Sequence, residues 1–111
     1  MVTQVEASRA LVAFDYETIT VSSSGVGLTA SKIQPASGCA ALGAAITVEG
    51  ATIRYRLDGG NPVAGSAGHL GYDTSVVPAQ VIWVYGTENL RLFRAVREGA
   101  SDATLRVTYY R

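Results

Sequence analysis

The sequence predicts an all-β domain, an antiparallel sandwich or barrel of short strands. Three observations predict it. Apolar and polar residues alternate with a period of two, as in Ile53, Tyr55 and Leu57 against Thr52, Arg54 and Arg56, because successive side chains of a strand point to opposite faces. Turn-forming residues recur about every ten positions. From Val76 to Tyr85 nearly every apolar residue is β-branched or aromatic, the types that fit a pleated surface.

In chain order, Val2 to Ser8 reads as a short strand or an extended N-terminal arm. Residues 1–16 are expected to form that arm or an edge strand, and 17–111 the sandwich. Ala10 to Phe14 is a short apolar strand that Asp15-Tyr16 interrupts, and Glu17 to Val21 alternates again with Ile19 and Val21 inward. Val26 to Gly38 is a connection broken by Gly27, Pro35 and Gly38, too long to be wholly unpaired. Ala40 to Val48 is a strand of small residues. It leads through a tight turn at Glu49-Gly50 into Ala51 to Leu57, which makes a hairpin. Asp58-Gly59-Gly60 then reverses the chain. Asn61 to Thr74 is a second long loop, and Val76 to Tyr85 a strand that Pro78 splits near its start. Leu90 to Arg97 fits a strand with Phe93 and Ala95 inward. A short helix capped by Thr87 or Asn89 competes with it, since Arg91, Arg94 and Arg97 recur every three residues. Leu105, Val107 and Tyr109 alternate with Arg106, Thr108 and Tyr110 in a closing strand.

A chain of 111 residues is one domain, able to bury about two thirds of the surface it exposes unfolded. Nine basic and nine acidic residues cancel, so no global field attracts nucleic acid or an anionic membrane. Charged residues are only 16% of the chain, against a usual value of about 25%. The surface must then carry Thr, Ser, Gly, Ala and Tyr, a composition suited to a packed assembly. Cys39, the single cysteine, lies among small residues and is expected as a buried or half-buried filler. Met1 is followed by no basic segment with an apolar run, and the expectation is synthesis in a cytoplasm without a secretory signal.

No stretch carries a convincing catalytic pattern. Gly25-Val26-Gly27-Leu28-Thr29-Ala30 matches a loose dinucleotide fingerprint, with Glu49 about twenty residues on. Pro35 and Gly38 deny it the long helix that a bound pyrophosphate needs. His69 is the only histidine; a nucleophilic arrangement would pair it with Ser66 or Ser75. Asp58 and Asp73 lack the spacing of a calcium loop, and Asp58 reads as a turn former. The expectation is therefore no enzyme, no cofactor and no metal. Trp83 and Tyr85 share one strand face while Ile82 and Val84 share the other, and either pair fits the core. If the aromatic pair is outward, Trp83, Tyr85 and Tyr110 make a stacking platform for sugar or for a partner.

Ile53-Arg54-Tyr55-Arg56-Leu57-Asp58-Gly59-Gly60-Asn61-Pro62 is similar to a hairpin of the small immunoglobulin-like modules appended to chitobiases and related glycosidases. A longer stretch, residues 17 to 111, resembles small proteins from structural gene clusters of tailed bacteriophages and prophages. The matching pieces are Thr47 to Ala51, Tyr55 to Gly59, Gly68 to Leu70, Asn89 to Ala95 and Ala103 to Tyr109; Ser66 to Ala79 departs from that pattern. The resemblance implies an immunoglobulin-like β-sandwich and a virion structural role, as a capsid decoration (cement) protein or another accessory component. It implies a homo-oligomer, most readily a trimer, seated on the major capsid protein or another virion protein, and it supplies no catalytic residue. The expected partner contacts are Val2 to Ser8, the loop Gly65 to Tyr72 with His69, and the outward arginines Arg54, Arg56, Arg91 and Arg94. The alternative is a tail or surface accessory module that binds carbohydrate.

Overall fold

A computed structural model describes residues 11–78 and 80–111. The elements are β1 (Ala13–Val21), a single turn of helix α1 (Ala30–Ile33), β2 (Gly43–Glu49), β3 (Ile53–Arg56), β4 (His69–Gly71), β5 (Ile82–Tyr85), α2 (Thr87–Leu92), β6 (Arg94–Arg97) and β7 (Ala103–Tyr110). The strands form two antiparallel sheets, one of four strands in the order β1-β7-β2-β5 and one of three in the order β4-β3-β6. The all-β expectation holds. The expected boundary at 16/17 falls inside β1, which is an edge strand with a bulge between Ala13 and Asp15. The segment Val2 to Ser8 lies outside the described residues.

One core lies between the sheets. The four-stranded sheet contributes Val21, Ala44, Ile46, Val48, Val84, Leu105, Val107 and Tyr109, and the opposite side contributes Ile53, Ala95, Phe93 and Leu90. Strict alternation in β7 places Leu105, Val107 and Tyr109 inward and leaves Arg106 exposed, as the sequence requires.

The largest departure concerns residues 46–62. β2 and β3 do not form a hairpin. Both edges of β2 are taken, by β7 and by β5, and β3 pairs instead with β4 and β6 in the other sheet. Gly50, at φ 90°, turns the chain from one layer to the other. Alternation reports which face a side chain occupies, and an arch between sheets has the same alternation as a hairpin. Ile53 is therefore core as expected, although its strand neighbours are different.

Two further segments differ. Leu90 to Arg97 holds both competing structures in succession, α2 and then β6. Leu90 is buried on the helix, Phe93 ends it, and Ala95 is inward on the strand. Thr87 and Asn89 do not cap the helix; Gly86 stands at that position without a side-chain cap. Val76 and Val77 are not strand: they lie in a turn where both N–H groups donate to the Asp73 carbonyl, and β5 begins only at Ile82. Cys39 is exposed and not a buried filler; its carbonyl accepts from Arg111. Among the described residues no helix is long and apolar enough to cross a membrane.

Candidate binding surface

The outer face of the four-stranded sheet collects the aromatic residues that the core leaves out. In β5, Ile82 and Val84 are buried, and Trp83 and Tyr85 are 47% and 61% exposed. Register carries the row across the sheet: Trp83 faces Ala45, Ala45 faces Thr108, and Thr108 faces Tyr16 of β1, itself exposed. The next row runs Tyr85, Gly43, Tyr110. Ala45 and Gly43 are small, so the floor beside the aromatic rings carries no bulky side chain. A Cβ on Gly43 would lie 3.2 Å from the Val84 carbonyl and 3.5 Å from the Tyr85 ring, so glycine there gives the tyrosine room to lie close. Trp83 and Tyr85 have ring centroids 6.0 Å apart and planes 7° from parallel; Tyr110 tilts against Trp83 at 5.6 Å.

The same margin continues into the preceding loop. Thr74 donates its N–H and its hydroxyl to the Val48 carbonyl, which ties the loop to β2 beside β5. Val76, Val77 and Val81 are exposed there. From Thr74 to Thr87, fourteen residues, the sequence has no Asp, Glu, Lys, Arg or His. That uncharged run is the sequence signal that marks this margin.

The edge of β5 is closed at one end. Gly86 N–H donates to the Leu42 carbonyl on the β2 side, and on the open side Asn89 Nδ2 donates to the Tyr85 carbonyl at 2.7 Å. A strand docking there finds that acceptor already satisfied.

The expected contact residues lie elsewhere, mostly on the three-stranded sheet. Arg54 is only 15% exposed, because it clamps a loop: its guanidinium donates twice to Glu98, at 2.9 and 2.7 Å, and once to the Gly68 carbonyl at 3.1 Å. Glu98 also accepts the Gly65 N–H at 2.8 Å. The Arg54 guanidinium and that N–H hold the Glu98 carboxyl at about 2, well below its ordinary range. Arg56 binds Asp58 at 2.9 and 2.6 Å, and Asp58 accepts from Gly60 N–H, so the turn role expected of Asp58 is present. Arg56, first, and then Gly60 bring Asp58 to about 2. Arg94 sits directly opposite Arg56 in the β3–β6 pairing and forms no ion pair with the described residues. Arg91 pairs with Glu88 on α2, apart from this group.

His69 is exposed, its ring 5.4 Å from that of Tyr55. It borders an open depression of about 490 Å³ with Arg56, Asp58 and Gly68. The Ser75 hydroxyl donates to Asp73 at 2.6 Å. Among the described residues no cluster of three His, Cys, Asp or Glu could hold a metal. Gly27 serves packing: its Cβ would meet the Arg94 guanidinium at 2.6 Å and the Phe93 carbonyl at 3.1 Å, where Val26 pairs with Ala95.

Comparison of the chain with family models, with curated proteins and with solved structures found no match.

One polar cluster at the margin of the core escaped sequence reasoning. The hydroxyl of the buried Tyr109 donates to Glu17, whose carboxylate also accepts from the Thr29 hydroxyl at 2.5 Å and the Thr29 N–H at 3.2 Å. Burial first, and the bond to Glu17 second, raise the Tyr109 phenol above its ordinary value. These partners lie up to 92 residues apart, and no local pattern connects them. The cluster is a structural tie between β1, β7 and the loop before α1.

Proposed function

We propose that the protein is a non-enzymatic virion structural protein, a capsid decoration or other accessory component that self-associates and stabilises the particle by protein–protein contacts. The carrying observation is the run of exposed, uncharged large residues Val76, Val77, Val81, Trp83 and Tyr85 along β5 and the loop before it. Scattered exposed apolar residues are ordinary on monomers, but a grouped patch of large ones marks an interaction surface. The phage resemblance of residues 17–111 supplies the setting: a virion, with the major capsid protein as the partner and a trimer as the assembly. The contact surface in this reading is the β5 margin, with Arg56, Arg94 and His69 as a second, polar surface on the other sheet. Mass spectrometry of purified particles tests it. The chain should be present in stoichiometric amount, and its absence from particles overturns the proposal.

A second reading has its own observation. The near-parallel Trp83 and Tyr85 rings with Tyr110 beside them offer stacking faces flanked by hydroxyls, which suits a sugar. Here a polysaccharide should change the emission of Trp83; an unchanged spectrum and an empty glycan array count against it.

A further inference from the structure

We infer that the turn at residues 63–67 is a lid on the outer face of the three-stranded sheet, and that Arg54 and Glu98 are the latch that holds it shut. The latched lid shapes the depression beside His69. The inference deepens the polar surface of the proposed function, and it rests on that reading only for the use a partner makes of the surface.

The lid covers a residue whose burial the core does not explain. Val96 is 7% exposed, yet it stands outside the cluster between the sheets. Its neighbour Ala95 points inward, so β6 turns Val96 to the outer face, opposite Arg54 of β3. On that face Val96 borders a depression of about 320 Å³ together with Pro62, Val63 and Ala64.

The turn is one piece because it is bonded to itself. The Val63 N–H donates to the Ala67 carbonyl at 2.8 Å, and the Ser66 and Ala67 N–H groups donate to the Val63 carbonyl at 3.0 and 2.9 Å. A single ion pair fastens it. Glu98 accepts the Gly65 N–H at 2.8 Å, and Arg54 donates to the Gly68 carbonyl at 3.1 Å. The pair is bidentate, and its side chains are only 15% and 25% exposed, where charge-assisted bonds are stronger than in open water. Residues 61–68 carry no ionic side chain, so the loop offers neither member of the pair a competing partner. Gly68 permits the close seat at φ 122°. A Cβ there would lie 2.8 Å from the Tyr55 carbonyl and 3.0 Å from Arg54 Cγ.

The same fastening serves the depression of about 490 Å³. Ala67 and Gly68 line it with Arg56, Asp58 and His69. Releasing the lid withdraws Ala67 and Gly68 from Arg56 and uncovers Val96. Arg54 and Glu98 are therefore positioning residues, which act on the polar surface through the lid.

Amide hydrogen exchange of the full chain, read residue by residue by nuclear magnetic resonance, tests this. The Gly65 amide should exchange slowly in the parent chain. Glu98→Gln should speed it about tenfold or more, the loss expected of one charge-assisted bond, and leave the amides of β7 unchanged. The Hε1 resonance of His69, the only histidine, should shift in the same variant as the adjoining Gly68 is released. Arg54→Lys keeps the charge and loses the fork; it should act in the same direction and serves if Glu98→Gln does not fold. A Gly65 amide that is fast in the parent, or as slow in the variants as in the parent, overturns the inference. Exchange that quickens at Gly65 and β7 together overturns it too, as does failure of both variants to fold, because the pair then supports the whole fold and not a lid. A Gly65 effect that leaves His69 unmoved overturns the positioning role. All of these readings use the isolated chain, so they stand apart from the virion reading, which fails by absence of the chain from particles.

Discussion

The two edges of the four-stranded sheet are finished in opposite ways. β1 is nine residues long, and a bare edge of that length invites a foreign strand. Its defence is charge: Asp15 is bonded to Lys32 at 3.1 Å, and Glu17 is bonded to Tyr109 and Thr29 beside the core. The backbone N–H of Tyr16, then Lys32, lowers the Asp15 carboxyl below its ordinary value. β5 is four residues long and carries no charge. Its outward side chains, Trp83 and Tyr85, are large and aromatic, and its one closing device is Asn89. The same sheet thus has one margin flanked by bonded charges, with Tyr16 exposed on its face, and one margin without charge. That difference is the ground for proposing β5 as the contact surface.

The contrast should separate folding from assembly when each edge is damaged. Tyr109→Ala opens a cavity under β1, and an aromatic truncated in a core costs about 3–5 kcal/mol; chemical denaturation should report it. Tyr109→Phe keeps the packing and removes only the hydroxyl that Glu17 accepts, which should cost about 1–3 kcal/mol. On β5, Trp83→Ser should cost folding about 1 kcal/mol or less while abolishing assembly. If Trp83→Ser unfolds the protein as severely as Tyr109→Ala, the outer aromatic cluster is a core extension and the contrast is lost.

Asn89→Ala tests the closing device itself. The Tyr85 carbonyl loses its donor, and the expected cost to stability is about 0.5–1.5 kcal/mol. The more telling result is kinetic. An unblocked apolar edge should pair with other strands, so light scattering at fixed concentration should rise faster than for the parent chain. Equal scattering would mean that Gly86 and α2 already shield the edge.

Much of this was legible in the sequence, and the gaps share a cause. Local periodicity identifies β7 and the buried face of β3, since Leu105 and Ile53 declare themselves by alternation, while β2 is legible only as a strand of small residues. It said nothing about strand partners, so β2 and β3 were joined as a hairpin when each belongs to a different sheet. The phase of Leu90 and Leu92 against Phe93 and Ala95 was irregular because the period changes from helix to strand at Phe93. Arg54 is expected outward, as a partner contact. Glu98, 44 residues away, takes it, and sequence distance hides such pairs. Trp83, Tyr85 and Tyr110 were named as one platform, yet which face of β5 was core depended on the sheet packing behind Ile82 and Val84.

Acid and salt sharpen the comparison with smaller effects. Glu98 and Asp58 titrate at about 2 when folded, below their ordinary 4.5 and 3.8. A carboxylate depressed by folding stabilises above its unfolded value, and the contribution disappears as pH falls through the folded one. Stability should therefore be level from neutrality down to about pH 4.5, then decline toward pH 2, and Glu98→Gln should flatten that decline. The β5 patch has no carboxylate, amine or imidazole, so assembly should not change across the level range. Added sodium chloride should screen exposed pairs such as Arg91 with Glu88 and leave the oligomer intact. Added sulfate should favour the oligomer, because it strengthens apolar burial. An oligomer that dissociates in sodium chloride would be held by ion pairs, which places its interface on the arginine-bearing sheet of Arg56 and Arg94 and away from Trp83.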